Sequence, residues 1–153
     1  ADQIVFQIRT NVGEALRPLH QIASGGEMSR VMLAIKTVLA KQDEIGALIF
    51  DEIDTGISGR TAQSVAEKMS KIAGFHQVIC VTHLPQIAAL ADCHMLIQKT
   101  VSQDHTATHI TQLSEGQITE ELARMLGGAE ITDAVRQNAM EMKKLAGEWK
   151  KLR

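Results

Sequence analysis

Residues 47–52 read ALIFDE, so that four apolar side chains run directly into two acids. A short apolar run of this length is typical of a buried strand, and the two acids then lie at its carboxyl end. A second apolar run, residues 78–81 (VICV), is followed in the same way by Thr82 and His83. Apolar residues at helix spacing over 62–73 predict a helix between the two runs. Strand, helix and strand in this order favour a parallel sheet with helices packed against it.

The elements on either side of this unit are predicted from the same kind of pattern. Gly74 is expected to close the central helix as its C-cap. The other predicted elements are a strand over 3–9, a turn over 11–13, helices over 28–40 and 118–126, a short helix from Pro85, strands over 95–98 and 106–113, and a last amphipathic helix over 131–149. We therefore expect residues 1–153 to form one α/β domain, with a mainly parallel sheet, flanking helices and extra strands.

The composition is that of a globular protein and argues against several classes of function. Of the 153 residues, 44% are hydrophobic and 22% are charged, and the net charge of -2 does not suit a surface built chiefly to bind nucleic-acid phosphates. No apolar run approaches the roughly 18 residues that a membrane helix needs, and no signal-peptide pattern is present. Two cysteines are too few for a disulfide framework, so that a reduced, cytoplasmic setting without a membrane is expected.

Residues 24–27 (SGGE) come just before the predicted helix over 28–40. Ser24 as N-cap, with Glu27 three residues later, forms the pattern of a capping box, which needs no ligand. A capping box does not account for Gly25 and Gly26, since a glycine inside a helix costs about 1 kcal/mol relative to alanine. Two glycines here suit an anion, such as a phosphate, that approaches the bare N–H groups of the helix N-terminus.

Asp51 and Glu52 lie where open α/β sheets place their ligands, at the carboxyl end of a strand. Nucleotide hydrolysis needs one carboxylate to hold Mg²⁺ and another to orient or deprotonate the attacking water. We assign the first role to Asp51 and the second to Glu52. The alternative is a pair of exposed acids that merely end a strand.

His83 follows the second predicted strand and should lie at the same edge of the sheet as the two acids. It could reach a terminal phosphate there, although a histidine beside a core strand is more often a hydrogen-bonded structural residue. Asp54, in the turn that follows the acids, is either an ordinary turn residue or part of a contact between subunits.

In this order, the three motifs resemble the ABC ATPase signature, the Walker B strand with its catalytic glutamate and D-loop, and the switch histidine. The surrounding sequence is similar to the RecN family, SMC-like ATPases of bacterial double-strand-break repair. The stretches that carry this resemblance are ASGGEMSRVMLAIK, IFDEIDTGISGRTAQSVAEKM, VTHLPQIAALAD and ELARMLGG. They cover residues 23–92 strongly and extend to Gly128, so that the chain looks like the C-terminal lobe of an ATPase head.

The resemblance implies an ATP site that two identical heads share. By resemblance, five residues would bind nucleotide: Ser24, Gly25, Gly26, Glu27 and Asp54. The signature residues Ser24, Gly25 and Gly26 would act in trans, on the γ-phosphate of the ATP that the second head holds. The residues that would act in cis are Asp51, as the ligand of Mg²⁺, and Glu52 and His83, as catalytic residues.

The chain departs from the family pattern in two respects. Nothing in it matches the phosphate-binding loop G-x-x-x-x-G-K-[ST], and no sustained heptads appear. By resemblance, that loop belongs to an N-terminal lobe that a coiled coil separates from this one. We therefore expect an excised C-terminal fragment that binds ATP very weakly and does not hydrolyse it alone. The complete protein would be a cytoplasmic, nucleoid-associated ATPase of DNA repair and recombination, with the N-terminal lobe, a second head and DNA as its partners.

Three alternatives remain at this point. The motifs also fit the head of another ABC-class ATPase, such as a transporter subunit. A non-catalytic scaffold lobe would bind DNA or a partner through its terminal helix and a basic tail that includes Lys150, Lys151 and Arg153. A zinc site would combine Cys80, His83, Cys93 and His94. The last two of these are adjacent on an expected strand and would point to opposite faces, which argues against zinc.

Overall fold

The computed structural model describes residues 3–9, 12–21, 24–42, 44–102, 105–128 and 130–152. Its elements, in chain order, are strands β1 (Gln7–Ile8) and β2 (Arg17–Pro18), a short 3-10 helix (Leu19–Gln21), helix α1 (Gly25–Leu39), strand β3 (Ala47–Phe50), helix α2 (Gly59–Ile72), strand β4 (Gln77–Cys80), helix α3 (Pro85–Ala89), strands β5 (Met95–Ser102) and β6 (His105–Gln112), and helices α4 (Glu115–Gly127) and α5 (Asp133–Lys151). Within these ranges, every helix is too short or too polar to span a bilayer.

β3 and β4 pair in parallel, with Ala47 opposite Gln77 and Phe50 opposite Cys80, and α2 connects them. The predicted strand–helix–strand unit and the α/β class are thereby confirmed. The sequence predicts a mainly parallel sheet, whereas in the described ranges only β3 and β4 pair in parallel. The extra strands form two antiparallel pairs, β1 with β2 and β5 with β6.

A cluster of buried apolar side chains joins β3 to the helices that follow it. α2 contributes one whole helix face, at the three- and four-residue spacing that its sequence predicts. The apolar residues of this face are Ala62, Val65, Ala66, Met69 and Ile72. Ile53, directly after the two acids, is completely buried in the same cluster. Burying one such side chain contributes about 1.5–3 kcal/mol, so that the core anchors the loop that carries Asp51 and Glu52.

The two parallel strands are buried on one face only. Leu48 and Phe50 point into the core, whereas Ile49 is 73% exposed and its cross-strand partner Ile79 is 46% exposed. Val81, just beyond β4, continues this bare apolar face. The prediction of two buried strands is therefore wrong for one face of the pair. A continuous apolar run predicts a strand with other elements packed on both of its faces, and the described residues pack on only one.

Several predicted boundaries also differ from the observed ones. The strand predicted over 3–9 pairs only at Gln7 and Ile8, and its partner strand ends in Pro18, which has no N–H to donate. α2 ends at Ile72 and has Ala73 as its C-cap, so that Gly74 is not the capping residue. The strands predicted over 95–98 and 106–113 form one longer hairpin. In the turn predicted over 11–13, residues 12 and 13 do form a turn, and residue 11 lies outside the described residues.

Gly147 lies inside α5, where a Cβ added to it would meet no atom within 4 Å. Replacing Gly147 with Ala is expected to raise the free energy of unfolding by about 0.5–1 kcal/mol, because alanine loses less backbone entropy in a helix. Urea denaturation measures this change. Gly128→Ala is the contrasting variant and should destabilise the fold, since Gly128 has a φ of 63°. A lower stability of Gly147→Ala would contradict the prediction.

Candidate functional site

The carboxyl ends of β3 and β4 place two loops side by side at one edge of the parallel pair. The Val81 N–H donates to the Phe50 carbonyl at 3.1 Å, so that strand pairing continues up to the acids. Asp51 and Glu52 begin the loop after β3, residues 51–56, which we call the acid loop, and His83 lies in the loop after β4. The acid pair and the histidine are therefore at the common edge that the sequence predicts for them.

Glu52 has a backbone conformation that residues other than glycine rarely adopt. Its φ is 57°, in the left-handed region. Its N–H donates to Asp51 Oδ1 at 2.9 Å, and its carbonyl accepts from the Thr55 N–H at 3.0 Å. A left-handed residue of this kind costs on the order of 1 kcal/mol or more, and such strain clusters at functional sites. The conformation of Glu52 is consistent with a functional role for this residue.

The N-terminus of α1 packs against the acid loop. Ser24 accepts a hydrogen bond from the Glu27 N–H at 3.2 Å, which is the N-cap half of the predicted capping box. A Cβ at Gly25 would overlap Glu52 Oε2, and one at Gly26 would lie 2.8 Å from the Glu52 carbonyl oxygen. The two glycines thus leave room for the chain's own Glu52. Its carboxylate lies at the helix N-terminus, where the helix dipole favours an anion.

Two side chains of α1 hold the acid loop by its backbone. Ser29 Oγ donates to the Asp51 carbonyl at 3.0 Å. Arg30 Nη1 donates to the carbonyls of Ile53 and Thr55, at 3.1 and 2.9 Å. These contacts could not be predicted from the sequence. Every residue has a backbone carbonyl, so the identity of the residues that Arg30 binds gives no sign of the contact. Arg30 joins the N-terminal turn of α1 to the acid loop.

Asp54 is buried, with 4% of its surface exposed. Its Oδ2 accepts from Thr82 Oγ1 at 2.6 Å and from the His83 N–H at 2.9 Å, and it lies 3.0 Å from His83 Nδ1. Burial raises the pKa of this carboxyl, but the hydrogen bonds from Thr82 and His83 and the charge of His83 outweigh burial and lower the pKa below its ordinary value of 3.8. The Asp54 side chain is thus engaged in hydrogen bonds inside the chain.

The lowered pKa of Asp54 makes the folded state sensitive to acid. A carboxylate whose pKa is lower in the folded than in the unfolded chain stabilises the fold above the unfolded pKa, and this contribution is lost as the pH falls through the folded pKa. We expect the free energy of unfolding to fall between about pH 5 and about pH 2, and Asp54→Asn to lose part of this slope. Urea denaturation at several pH values measures it, with Asp133→Asn, at an exposed aspartate, as the control. Equal slopes for wild type and Asp54→Asn would contradict the prediction.

His83 shares the edge with the acids, yet its backbone N–H and its ring both contact Asp54. Its side chain is 75% exposed, and Nδ1 makes the contact with Asp54 Oδ2. Among the residues that the structure describes, Nε2 has no hydrogen-bond partner. His83 is therefore both a hydrogen-bonded residue, as the alternative supposed, and a side chain with one ring nitrogen free.

Carboxylate ligands at the strand end suit magnesium better than zinc. In the described part of the chain, no three or more His, Cys, Asp or Glu side chains come together in a group that could hold a metal ion. Mg²⁺ is commonly held by one or two carboxylates together with water and substrate phosphates, which fits Asp51 at this edge. Burial, followed by the charges of Asp54 and Asp51, raises the pKa of Cys80 to about 12, so that its thiol is neutral in the metal-free chain.

The basic tail is partly used inside the fold. Lys150 donates to the Ala91 carbonyl at 3.0 Å and to Asp92 Oδ1 at 2.6 Å, and its side chain is 18% exposed. Lys151 is exposed, and residue 153 lies outside the described residues. Lys150 thus links α5 to the segment that follows α3. Because its charge is paired with Asp92, less unpaired positive charge is left in the tail for binding DNA.

The fold of the chain resembles that of the head of an SMC ATPase. A solved SMC ATPase, from work on ATP-driven dimerisation and DNA-stimulated activation, matches with a TM-score of 0.50 and 21% identity, over 74% of this chain and 67% of that one. At this identity the likeness shows the fold alone. No protein-family model matches the chain.

Curated relatives identify the family. The chain is 47% identical over 149 residues to the DNA repair protein RecN of Bacillus subtilis, which covers 97% of this chain and 26% of that protein. It is 52% identical over 127 residues to RecN of Treponema pallidum (83% and 22% covered) and 44% identical over 142 residues to RecN of Haemophilus influenzae (93% and 25% covered). The chain belongs to the RecN family of DNA repair proteins, as its motifs predict, and it spans about a quarter of the length of these relatives.

Proposed function

We propose that the chain is the C-terminal lobe of an ATP-hydrolysing, SMC-like head that pairs with a second head around ATP in DNA double-strand-break repair and recombination. One observation carries the proposal: the N-terminus of α1, the acid loop and the loop after β4 meet at one edge of the parallel strand pair. The DNA repair names of the relatives support the biological setting. The complete protein would act in the cytoplasm, on the DNA of the nucleoid.

In cis, the residues of this chain would divide the chemistry of hydrolysis between them. Glu52 accepts a proton from the water that attacks the γ-phosphorus, while the bond from that phosphorus to the bridging oxygen breaks and ADP leaves with the electron pair. Asp51 would hold Mg²⁺, which neutralises charge on the phosphate oxygens when it is bound. His83 contacts the γ-phosphate through Nε2, its free ring nitrogen.

In trans, Ser24, Gly25 and Gly26 would bind the γ-phosphate of ATP held by the second head, with Glu27 in the same helix turn. The support is the bare N–H groups and the dipole at the N-terminus of α1. The Glu52 carboxylate lies against Gly25 in this structure, so that it has to move before a phosphate can take that place. The same movement would release Glu52 toward the attacking water.

The bare apolar face of β3 and β4 supports an N-terminal lobe as the partner within one head. Sheets of parallel strands are normally covered on both faces, and here Ile49, Ile79 and Val81 are exposed. We assign the cover to the N-terminal lobe of the same protein, which would also bring the phosphate-binding loop and the coiled coil. The small share of the relatives that this chain spans is consistent with such a further lobe.

The test of the proposed function is phosphate release from ATP by this chain, alone and mixed with the N-terminal lobe. We expect the chain alone to bind ATP very weakly and not to turn it over, because it has no phosphate-binding loop. The mixture should hydrolyse ATP. Robust turnover by the chain alone, or none by two lobes that elute together, would show that the proposal is wrong.

Ile49→Asp tests the assignment of the bare face. Because Ile49 is 73% exposed, we expect the variant chain to fold as wild type does. Burying an unpaired carboxylate in the contact with the N-terminal lobe costs several kcal/mol, so that the affinity between the lobes should fall by about 100-fold or more. Titration calorimetry measures that affinity, and Val101→Asp, at an 82% exposed position of β5, is the control. Unchanged affinity for Ile49→Asp would remove this face from the interface.

A further inference from the structure

A hydrogen-bonded bridge joins the acid loop to the histidine that the proposed function assigns to the γ-phosphate. One oxygen, Asp54 Oδ2, accepts from the Thr82 hydroxyl at 2.6 Å and from the His83 N–H at 2.9 Å, and it lies 3.0 Å from His83 Nδ1. The Asp54 side chain is 5% exposed and the His83 side chain is 75% exposed. A buried carboxylate therefore holds one side of an exposed imidazole ring.

The shared oxygen decides which ring nitrogen carries the proton. The backbone N–H of His83 can only donate, so that Asp54 Oδ2 can only be an acceptor at this point. An unprotonated Nδ1 would hold its lone pair 3.0 Å from a carboxylate oxygen, which is repulsive, and we therefore take Nδ1 as the protonated nitrogen. Nε2 remains as the ring nitrogen that is free to meet a nucleotide.

We infer that Asp54 is the positioning residue of His83: it holds the ring with Nδ1 protonated and presents Nε2 to the terminal phosphate of a bound nucleotide. The inference rests on the proposed function of His83. When Nε2 takes up a proton and donates to a phosphate oxygen, the Asp54 carboxylate balances the charge of the ring. Asp54 also follows Glu52 by two residues in the acid loop, so that the same short loop places the base and orients the phosphate contact.

The experiment compares kcat and KM for ATP in the complete protein, as wild type, Asp54→Ala, His83→Ala and the double variant. Removing a residue that orients a functional side chain typically lowers activity by about 10- to 100-fold, and we expect this loss in kcat for Asp54→Ala. The double variant should be no slower than His83→Ala, because Asp54 acts through the ring. A purely structural role would lower kcat further in the His83→Ala background.

Thr82→Val is the matched control, since it removes one hydrogen bond from the same oxygen and leaves the ring contact in place, although it also removes the bond that Thr82 Oγ1 accepts from the Leu84 N–H. We expect its kcat to stay close to that of wild type. Asp54→Asn keeps an oxygen that can accept from Thr82 and from the His83 N–H, so that it should still fold, but it cannot balance the charge of the ring and should lower kcat. It carries the test if Asp54→Ala fails to fold, and an unchanged kcat in Asp54→Asn would then overturn the inference. An independent readout is the ¹⁵N NMR spectrum of the histidine-labelled complete protein, where the neutral His83 ring should carry its proton on Nδ1.

The outcomes separate the inference from the proposed function. If His83→Ala slows hydrolysis and a folded Asp54→Ala does not, Asp54 does not position the ring and the proposed function stands. A neutral His83 ring with its proton on Nε2 would overturn the inference in the same way. If the wild-type complete protein does not hydrolyse ATP, the proposed function is wrong and the inference is wrong with it.

Discussion

The Glu52→Gln variant of the complete protein is expected to pair its heads in the presence of ATP and to hydrolyse ATP at least about 100-fold more slowly than wild type. The glutamine amide cannot accept a proton from the attacking water, whereas Asp51 and His83 keep their places. ATP therefore stays bound and holds the paired state. Phosphate release measures turnover, and light scattering after size-exclusion chromatography measures pairing.

The control for this variant is Glu130→Gln, which makes the same chemical change at an exposed glutamate outside the site. It should turn over ATP as wild type does. Glutamine fits the left-handed backbone position of residue 52 no worse than glutamate, so that Glu52→Gln should lose only the roughly 0.3–1 kcal/mol that a carboxylate gains at a helix N-terminus. Unchanged turnover in Glu52→Gln would refute the assignment of Glu52 as the base.

Gly26→Ala is expected to destabilise the chain by about 1–3 kcal/mol and to lower ATP turnover in the complete protein. The added Cβ would lie 2.8 Å from the Glu52 carbonyl oxygen and 3.1 Å from Thr55 Cβ, both closer than packed atoms approach. Because one of these atoms belongs to the backbone, the acid loop has to shift, and Glu52 shifts with it. Thermal unfolding measures the first effect and phosphate release the second.

Gly116→Ala is the matched control, since Gly116 also lies in the first turn of a helix and its added Cβ would meet nothing within 4 Å. It should be as stable as wild type or slightly more stable. Gly25→Ala should be milder in stability than Gly26→Ala, because its Cβ meets the mobile end of the Glu52 side chain. A Gly26→Ala protein as stable as Gly116→Ala would show that the close packing of α1 on the acid loop is not required.

The parts of the fold that local patterns specify could be predicted from the sequence. β3, α2 and β4 have apolar spacings that differ for strand and helix, and their order implies a parallel pair. The exposure of Ile49 and Ile79 could not be predicted, because an apolar run does not say which neighbour covers it. The shortness of β1 depends on its pairing with Pro18, a contact with a residue distant in sequence.

At the candidate site, the common edge of the acids and His83 followed from the parallel pairing of their strands. The contacts that hold the site together could not be predicted in the same way. Asp54 bonds to a residue 29 positions later, and Arg30 bonds to a backbone carbonyl 23 positions later. In each contact one partner is a backbone group, an N–H in the first and a carbonyl in the second, and backbone groups carry no side-chain signature that a sequence pattern could reveal. The left-handed turn at Glu52 also depends on this packing.

The bonds from Arg30 to the acid loop have a kinetic consequence for a pair of heads. In the proposed pair, the N-terminus of α1 binds the nucleotide of one site, and the acid loop of the same head acts on the nucleotide of the other. Arg30 ties these two parts together through the carbonyls of Ile53 and Thr55. If the proposed pair forms, we expect a displacement of α1 on binding ATP at one site to be passed to Glu52 at the other, which would give cooperative turnover with a velocity that rises sigmoidally with ATP concentration.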